Sequence, residues 1–528
     1  MKTLISNLIA KLHVIDPTYW IMKTSPFKRL SNLISFIKED HGDELNTADQ
    51  LENEGCTLPK NECIELASIW VIELYTPSQI SRLLDGLKNL GWETNRSESF
   101  NISQWLKNAR QNHHSGSANL GLVTPTPKIT SEHSNKLPYG VHAAFPRLIL
   151  VTPSITALSI VFYLDSDAAK ALDAPMKKYY KTKYKLNNSS TWWRLAAHVI
   201  FNKRINLSKT ILDPVSQKQH AVRDEVSRIE RGCTEWVRKN LPGIFSADLK
   251  KGKTIPTAAL LISEEADPSK DSLRSMAALN GLAISSDWDA WVSDSIPTTR
   301  LSFPYSSNYD EARLMLACRR RDALINEQYI HDPTSNWSIS YKIDQVMYEL
   351  FLRWAVLKLI GKFDQQLSEL RDQSANTNSS HPIRDLKHLR NLVRTNLYDM
   401  ELSAYEINKF ANSSWYAHGM PNMRQMESPL NSKIELIKSL RQNKIDQAQK
   451  IQKESELIKS VLSMSNDISQ TITNLKIQRF MVILTFISIG VSIAALYVSV
   501  HAQPNAPTHF EHISSPSPLS GGTKNGTK

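Results

Sequence analysis

Apolar residues run without a charge from Phe480 to Val500, a stretch of 21 residues. As a helix this stretch spans about 31 Å, the thickness of a bilayer core. Beyond it lies a Pro-, Ser- and Gly-rich tail that offers nothing to bury such a helix against. The pattern therefore predicts one transmembrane helix over 480–500. Lys476 and Arg479 flank its N-terminal side, and the next lysine or arginine on the other side is Lys524. That asymmetry predicts a cytoplasmic N-terminal region and a tail outside.

Leu148–Leu164 is also uncharged, but Pro153 interrupts it. Leu158, Ile160, Phe162 and Leu164 alternate with Ser159, Val161 and Tyr163, which is the period of a strand. A hairpin turning at Thr152–Ser154 is predicted there rather than a second span. Met347–Ile360 is apolar too, yet Glu349, Arg353 and Lys358 recur in it at helical spacing, which predicts an amphipathic soluble helix. Ser68–Tyr75 reads as a strand. Thr76-Pro77 then opens a helix over Ser78–Leu90 that Gly91 stops.

The polar stretch Gln111–Pro138 reads as a loop with a short strand at Asn119–Val123. Strands follow over Gly140–Leu164, then a helix over Asp165–Leu172 capped by Asp165 or Ser166. A longer helix, His220–Leu241, ends at Pro242-Gly243, and strands are predicted near Ala258–Ile262 and Thr299–Phe303. From residue 308 on, the pattern predicts helices only: Tyr309–Glu327, Ile343–Arg371 and Ile383–Phe410. The fold class is α+β, with a soluble α/β-containing N-terminal region, a helical C-terminal half and a long stalk helix running into the span. The segments are an α+β region over 1–110, a linker or loop over 111–138, a second α+β region over 139–307 and a helical region over 308–425. A stalk over 430–479, the span over 480–500 and a disordered tail over 501–528 complete the chain.

No Gly or Pro interrupts Ser432–Arg479. Near the membrane Ile458, Val461, Ser465, Ile468, Ile472 and Leu475 fall at alternating three- and four-residue steps, the seam of a coiled coil. Upstream the seam degrades: Leu440 and Ile451 fit it, whereas Lys444, Gln447 and Glu454 do not. Inside the span Thr485, Ser488, Ser492, Ala495 and Ser499 repeat the same step. A stripe of small and hydroxyl residues lets helices approach closely in lipid. Both features predict a homo-oligomer.

Composition adds limits. With 528 residues and 41% hydrophobic residues the chain can bury real cores. The net charge of +11 suits an anionic surface, lipid or nucleic acid. Cys56, Cys63, Cys233 and Cys318 are too few for a disulfide framework, which points to a reducing compartment. Met1–Ile15 has no continuous apolar core and no cleavage site, so it reads as an amphipathic helix rather than a signal peptide.

Chemistry is sparse. Lys251-Gly252-Lys253-Thr254 resembles the end of a phosphate loop, but the first glycine position holds Ala247 and Pro256 sits where the helix should begin. The carboxylates Asp287, Asp289, Asp294, Glu264, Glu265, Asp165 and Asp167 offer oxygen ligands of the kind divalent ions take, and caps and turns account for most of them. His113, His114 and His198 lie in no ligand spacing. No catalytic, cofactor or metal motif is complete. The sharpest local signal is basic: Lys177, Lys178, Lys181, Lys183 and Lys185 interleave with Tyr179, Tyr180 and Tyr184, and Trp192, Trp193 and Arg194 follow. Such a segment is suited to anionic lipid or to nucleic acid, and a solvated face explains it without any partner.

The order of parts resembles the CorA type of magnesium channel: a cytoplasmic α/β region, a stalk helix and a span near the C-terminus. That family has a second span and a Gly-Met-Asn signature, whereas His501-Ala502-Gln503-Pro504 follows the span here, so magnesium transport is not implied. The expectation is a membrane-anchored cytoplasmic interaction or sensor protein. Its rivals are an oligomeric effector that permeates the bilayer and a tethered nucleic-acid-processing enzyme.

Overall fold

The structure is a computed structural model, and it describes residues 47–93, 101–112, 116–128, 131–186, 209–247, 255–269, 288–304, 313–323, 332–375, 397–426 and 435–501. The N-terminal helix expected over Met1–Ile15, the loop at Lys251–Thr254, the three histidines singled out above, Asp287 and the tail lie outside the described residues. The chain divides into two compact units, Met1–Leu457 and Ile458–Lys528.

In chain order the first unit begins with helix α1 (Thr47–Cys56), strand β1 (Ile64–Tyr75) and helices α2 (Ile80–Leu90) and α3 (Ile102–Gln111). Strands β2 (Gly116–Asn119), β3 (Val123–Thr124), β4 (His133–Ser134), β5 (Val141–Thr152) and β6 (Ile155–Leu164) follow, then short helices α4 (Ser166–Ala169) and α5 (Asp173–Lys177). Next come β7 (Lys183–Leu186), β8 (Lys209–Leu212), the long α6 (Pro214–Asn240) and strands β9 (Thr257–Ser263), β10 (Trp288–Ser293), β11 (Arg300–Pro304) and β12 (Arg313–Arg319). The unit continues through α7 (Arg320–Ala323), α8 (Asn336–Ala375), α9 (Tyr398–Asn412), β13 (Met423–Gln425) and the start of α10 (Leu436–His501).

Eleven strands form one mixed sheet in the order β13-β10-β11-β12-β9-β1-β6-β5-β3-β4, with β2 also paired to β5. Most pairs are antiparallel; β12 runs parallel to β9 and β3 parallel to β4. The fold is thus mixed α+β, and a single sheet draws strands from 64–75, 116–119, 123–124, 133–134, 141–164, 257–263, 288–304, 313–319 and 423–425.

The sheet is covered on both faces at its centre. On one side Trp70 of β1 packs on Phe351 of α8 with ring centroids 5.2 Å apart, and Tyr163 of β6 stacks on Trp337 at 3.9 Å. On the other, Phe162 meets Trp236 of α6 edge-on at 5.9 Å, and the Tyr75 hydroxyl donates to the Leu241 carbonyl at 2.6 Å. Trp70, Phe351, Tyr163, Phe162 and Tyr75 are fully buried, and each such ring contributes roughly 1.5–3 kcal/mol through removal from water. Double coverage explains why Leu148–Leu164 is continuously apolar: every residue of β6 is buried. The stretch is a hairpin with its turn at Pro153-Ser154, as the alternation predicts.

Local signals in the sequence map onto real caps. Asp165 accepts from the Ala168 N–H at 2.8 Å, and Asp213 caps α6 by accepting from Ser216 N–H. Gly91 ends α2 with φ of 73°, a conformation that favours glycine. After α6 the chain turns at Pro242-Gly243 over a buried carboxylate: Glu73 accepts from the N–H groups of Phe245 (2.8 Å), Ser246 (3.1 Å) and Leu74 (3.1 Å). A Cβ at Gly243 would lie 2.4 Å from Glu73 Cγ, so this close approach requires glycine.

Two expectations are corrected. The helix expected over Tyr309–Glu327 is instead strand β12 followed by the one-turn α7, so the part beyond residue 308 is not all helical; β13 also belongs to the sheet. Leu314–Cys318 is made of residues that suit helices as well as strands, and pairing with β9 decides the outcome. The helix over Met347–Ile360 is real and spans 40 residues as α8, but it is not simply amphipathic. Phe351 to Val356 are consecutive and all buried, and they include Arg353.

Candidate functional site

The five lysines singled out in the sequence sit where α5 leads into β7. Their backbone is held from below. Asn53 of α1 clamps the Tyr180 peptide from both ends, accepting from its N–H at 2.8 Å and donating to its carbonyl at 2.6 Å. Asp49 accepts from Thr182 N–H at 3.2 Å, and Gln217 of α6 donates to the Lys181 carbonyl. A fixed backbone turns side chains outward: Lys177, Lys178, Tyr179 and Lys183 are exposed, and Lys181 is half-buried. Lys177 is already paired with Asp173 at 2.7 Å, which raises its pKa. Lys178 lies 5.5 Å from the Tyr180 ring centre. Lys185 pairs with Thr210 in the β7–β8 ribbon; its side chain, like Trp192, Trp193 and Arg194, lies outside the described residues.

Of the acidic candidates, Asp165 caps α4 and three are held in ion pairs, while the Asp289 side chain lies outside the described residues. Glu264 pairs with Arg320, Glu265 with Arg321, and Asp294 with Arg424. Among the described residues no group of three metal-ligating side chains converges. The four cysteines are free thiols.

The second site is the seating of α10 on the first unit. A long helix packing on its own soluble domain is the alternative to a self-associating stalk, but sequence reasoning missed the part Lys444 plays in it. Leu436, Leu440, Lys444, Ala448, Ile451 and Ser455 recur at steps of three and four, and all are buried within the first unit. Lys444 explains why the apolar repeat breaks at its position. Its Nζ donates to the Tyr416 hydroxyl at 2.7 Å and lies 4.8 Å from the Tyr416 ring centre. Arg353 of α8 lies 4.5 Å from the Phe410 ring and 5.4 Å from that of Tyr416, with its guanidinium 2.7 Å from Glu349. Arg441 donates to the carbonyls of Ala411 (2.6 Å) and Ser413 (3.2 Å). Three cations, Arg353, Arg441 and Lys444, therefore lie around the Tyr416 ring, and Glu349 is the carboxylate paired with Arg353 there. Burial, reinforced by the Arg353 charge, holds the Lys444 ammonium pKa well below the ordinary lysine value. Lys450 pairs with Asp364 at 2.8 Å, and Ser455 donates to Glu401 at 2.7 Å, which fixes the same helix further along. The signal that could have found this site is a lysine standing at a core position of an otherwise apolar repeat.

Further along α10, one helix among the described residues is long and apolar enough to cross a membrane: Lys476–Tyr497, 22 residues with mean hydropathy 2.3 and none of it buried. Thr485, Ser488, Ser492 and Ala495 are exposed on it. The Thr485 hydroxyl donates to the Met481 carbonyl (2.8 Å) and that of Ser492 to the Ser488 carbonyl (2.9 Å), so both are satisfied within the helix. Ile458, Val461, Ser465, Ile468, Ile472, Leu475 and Ser499 lie on helical backbone, and their side chains fall outside the described residues.

Beside the α10 seat, α9 and the β5–β6 turn enclose a cleft of 640 Å³ lined by Leu150–Pro153, Tyr405, Glu406, Lys409, Phe410, Ser413 and Trp415. An adjoining recess of 180 Å³ shares Leu150, Val151, Phe410 and Trp415 and reaches Tyr348, Arg353 and His418.

No protein-family model matches the chain, and no curated protein is similar to it.

Proposed function

We propose that this chain is a membrane-anchored interaction or sensor protein of the cytoplasm that self-associates through residues 458–500. The observation that carries the reading is the character of α10. One helix has one face of its first five turns buried in the mixed α+β unit and later presents a predominantly apolar, exposed segment of 22 residues. A helix seated in a protein core at one end and suited to lipid at the other is a mechanical link. Its membrane partner is a bilayer, and its protein partner is a second copy, since the heptad steps from Ile458 to Leu475 give an apolar seam. The exposed lysines around Tyr179 supply a subsidiary contact for anionic lipid.

Sedimentation velocity of the full chain in mild detergent tests the self-association. The expected result is an oligomer that falls to a monomer when Val461, Ile468 and Ile472 are all replaced by Asp. A monomeric parent chain, or an oligomer unchanged by those substitutions, rules the reading out.

A further inference from the structure

We infer that the cleft between α9 and the β5–β6 turn binds a small molecule carrying a planar ring and one anionic group, and that this ligand is the input of the sensor. The second half of this inference rests on the reading above; the first half stands by itself. Size comes first. The 640 Å³ cleft has the volume of a small-molecule site, which runs from roughly 300 to 1,000 Å³, and the 180 Å³ recess extends it.

The walls of the cleft favour a ring. Trp415 is 66% exposed and Tyr405 58% exposed, both at the cleft, with Phe410 beside them. Large aromatic side chains left in water around a concavity offer flat faces for stacking.

The hydrogen-bonding capacity left in the cleft and its recess is that of donors. Glu406 accepts from both the N–H (2.8 Å) and the hydroxyl (2.5 Å) of Ser154, and Glu349 is paired with Arg353. Lys409 is exposed and has no acceptor among the described residues, and the buried Arg353 Nε likewise has none. Glu406 and Glu349 keep their charges and offset Lys409 and Arg353. The two donors still without acceptors among those residues, Lys409 Nζ and Arg353 Nε, are both cationic, so the ligand group that completes them is an acceptor, and an anion does so most strongly.

The link to the membrane helix lies in α9 and the turn that follows it. Ser413 lines the cleft, and its carbonyl accepts from Arg441 of α10. Phe410 lines the cleft and carries Arg353 on its ring, and Arg353 shares the Tyr416 pocket with Lys444. A ligand that binds more tightly to one setting of this segment shifts the seat of α10 by that difference in affinity.

Calorimetry on the full chain in lipid nanodiscs, with empty nanodiscs as the control, tests the site. The probes are adenosine monophosphate and 1-naphthoate, each against its neutral counterpart, adenosine and 1-naphthylmethanol. At least one anion is expected to bind with Kd below about 1 mM and its neutral counterpart about tenfold more weakly. Trp415→Ala should weaken binding about tenfold through the lost stacking, and Lys409→Gln should weaken it as well. Both residues are exposed, and an unchanged thermal midpoint verifies that the variants fold. Binding should also change amide exchange across 436–455. No binding by either anion, affinity unchanged in both variants, or equal binding of the neutral rings overturns the site. Binding that needs Trp415 but leaves exchange across 436–455 unchanged overturns the coupling. Trp415→Ala does not touch the membrane span, so loss of the site and loss of the anchor are read separately.

Discussion

The Nζ of Lys444 donates a 2.7 Å hydrogen bond to the Tyr416 hydroxyl at a position where the row of buried residues on α10 is otherwise mostly apolar. A fully buried amine beside the Arg353 guanidinium is an expensive way to seat a helix. It also makes the seat sensitive to pH and to nearby charge. The groups facing Lys444 are Glu349 and Arg353 from α8 and Tyr416 from the turn after α9, with Arg441 on its own helix next to the same ring.

That arrangement sets the sign of a pH effect. The folded pKa of Lys444 is depressed, whereas the unfolded chain titrates at the ordinary lysine value. Between those two values the unfolded chain binds more protons, so this group makes stability rise with pH across the window and level off above it. Denaturant unfolding of the full chain at pH 6.5, 8 and 9.5 should show that rise. Lys444→Met should remove the Lys444 part of it and stabilise the low-pH state by about 1 kcal/mol or more. A variant that keeps the full slope would place the pH dependence elsewhere.

The lysine segment makes a graded prediction. Lys177 is held by Asp173, while Lys178, Lys181 and Lys183 have no carboxylate partner among the described residues. Binding to vesicles containing phosphatidylserine, measured by co-sedimentation of a chain ending at Leu457, should fall on the order of a hundredfold when Lys177, Lys178, Lys181, Lys183 and Lys185 are all changed to Gln. Lys177→Gln alone should cost less than Lys178→Gln. Raising salt should shrink every difference. Equal binding by the parent and the fivefold variant leaves the segment a solvated face.

Topology follows from Lys476 and Arg479 on one flank of the span. A reporter fused after Lys528 is expected outside the membrane and one fused before Met1 inside. Both reporters on the same side would mean that the chain crosses an even number of times, which contradicts a single anchor.

How much of this was legible depends on how local the determining signal is. The Phe480–Val500 run, the Asp165 cap, the Gly91 stop and the hairpin at Pro153-Ser154 are each set by residues within a few positions of one another, and they are read directly. Strand β12 is not, because Leu314–Cys318 becomes a strand by pairing with β9, more than 50 residues away. Arg353 and Lys444 look like solvent markers on helices, yet distant partners bury both. Asp344 is similar: it accepts from Trp70 at 2.8 Å and Arg147 at 3.0 Å, contacts spanning 274 and 197 residues. The cleft was invisible for the same reason, since Leu150 and Trp415 meet only in the folded chain.

The central claim is that residues 476–497 hold the protein in a bilayer, and alkaline carbonate extraction of membranes from cells expressing the full chain tests it most directly. The account predicts that the chain stays in the membrane pellet, and that replacing Ile487 and Val491 by Arg releases it, since each charge at mid-span costs roughly 2.5–3.5 kcal/mol. A parent chain found wholly in the detergent-free supernatant would contradict the account.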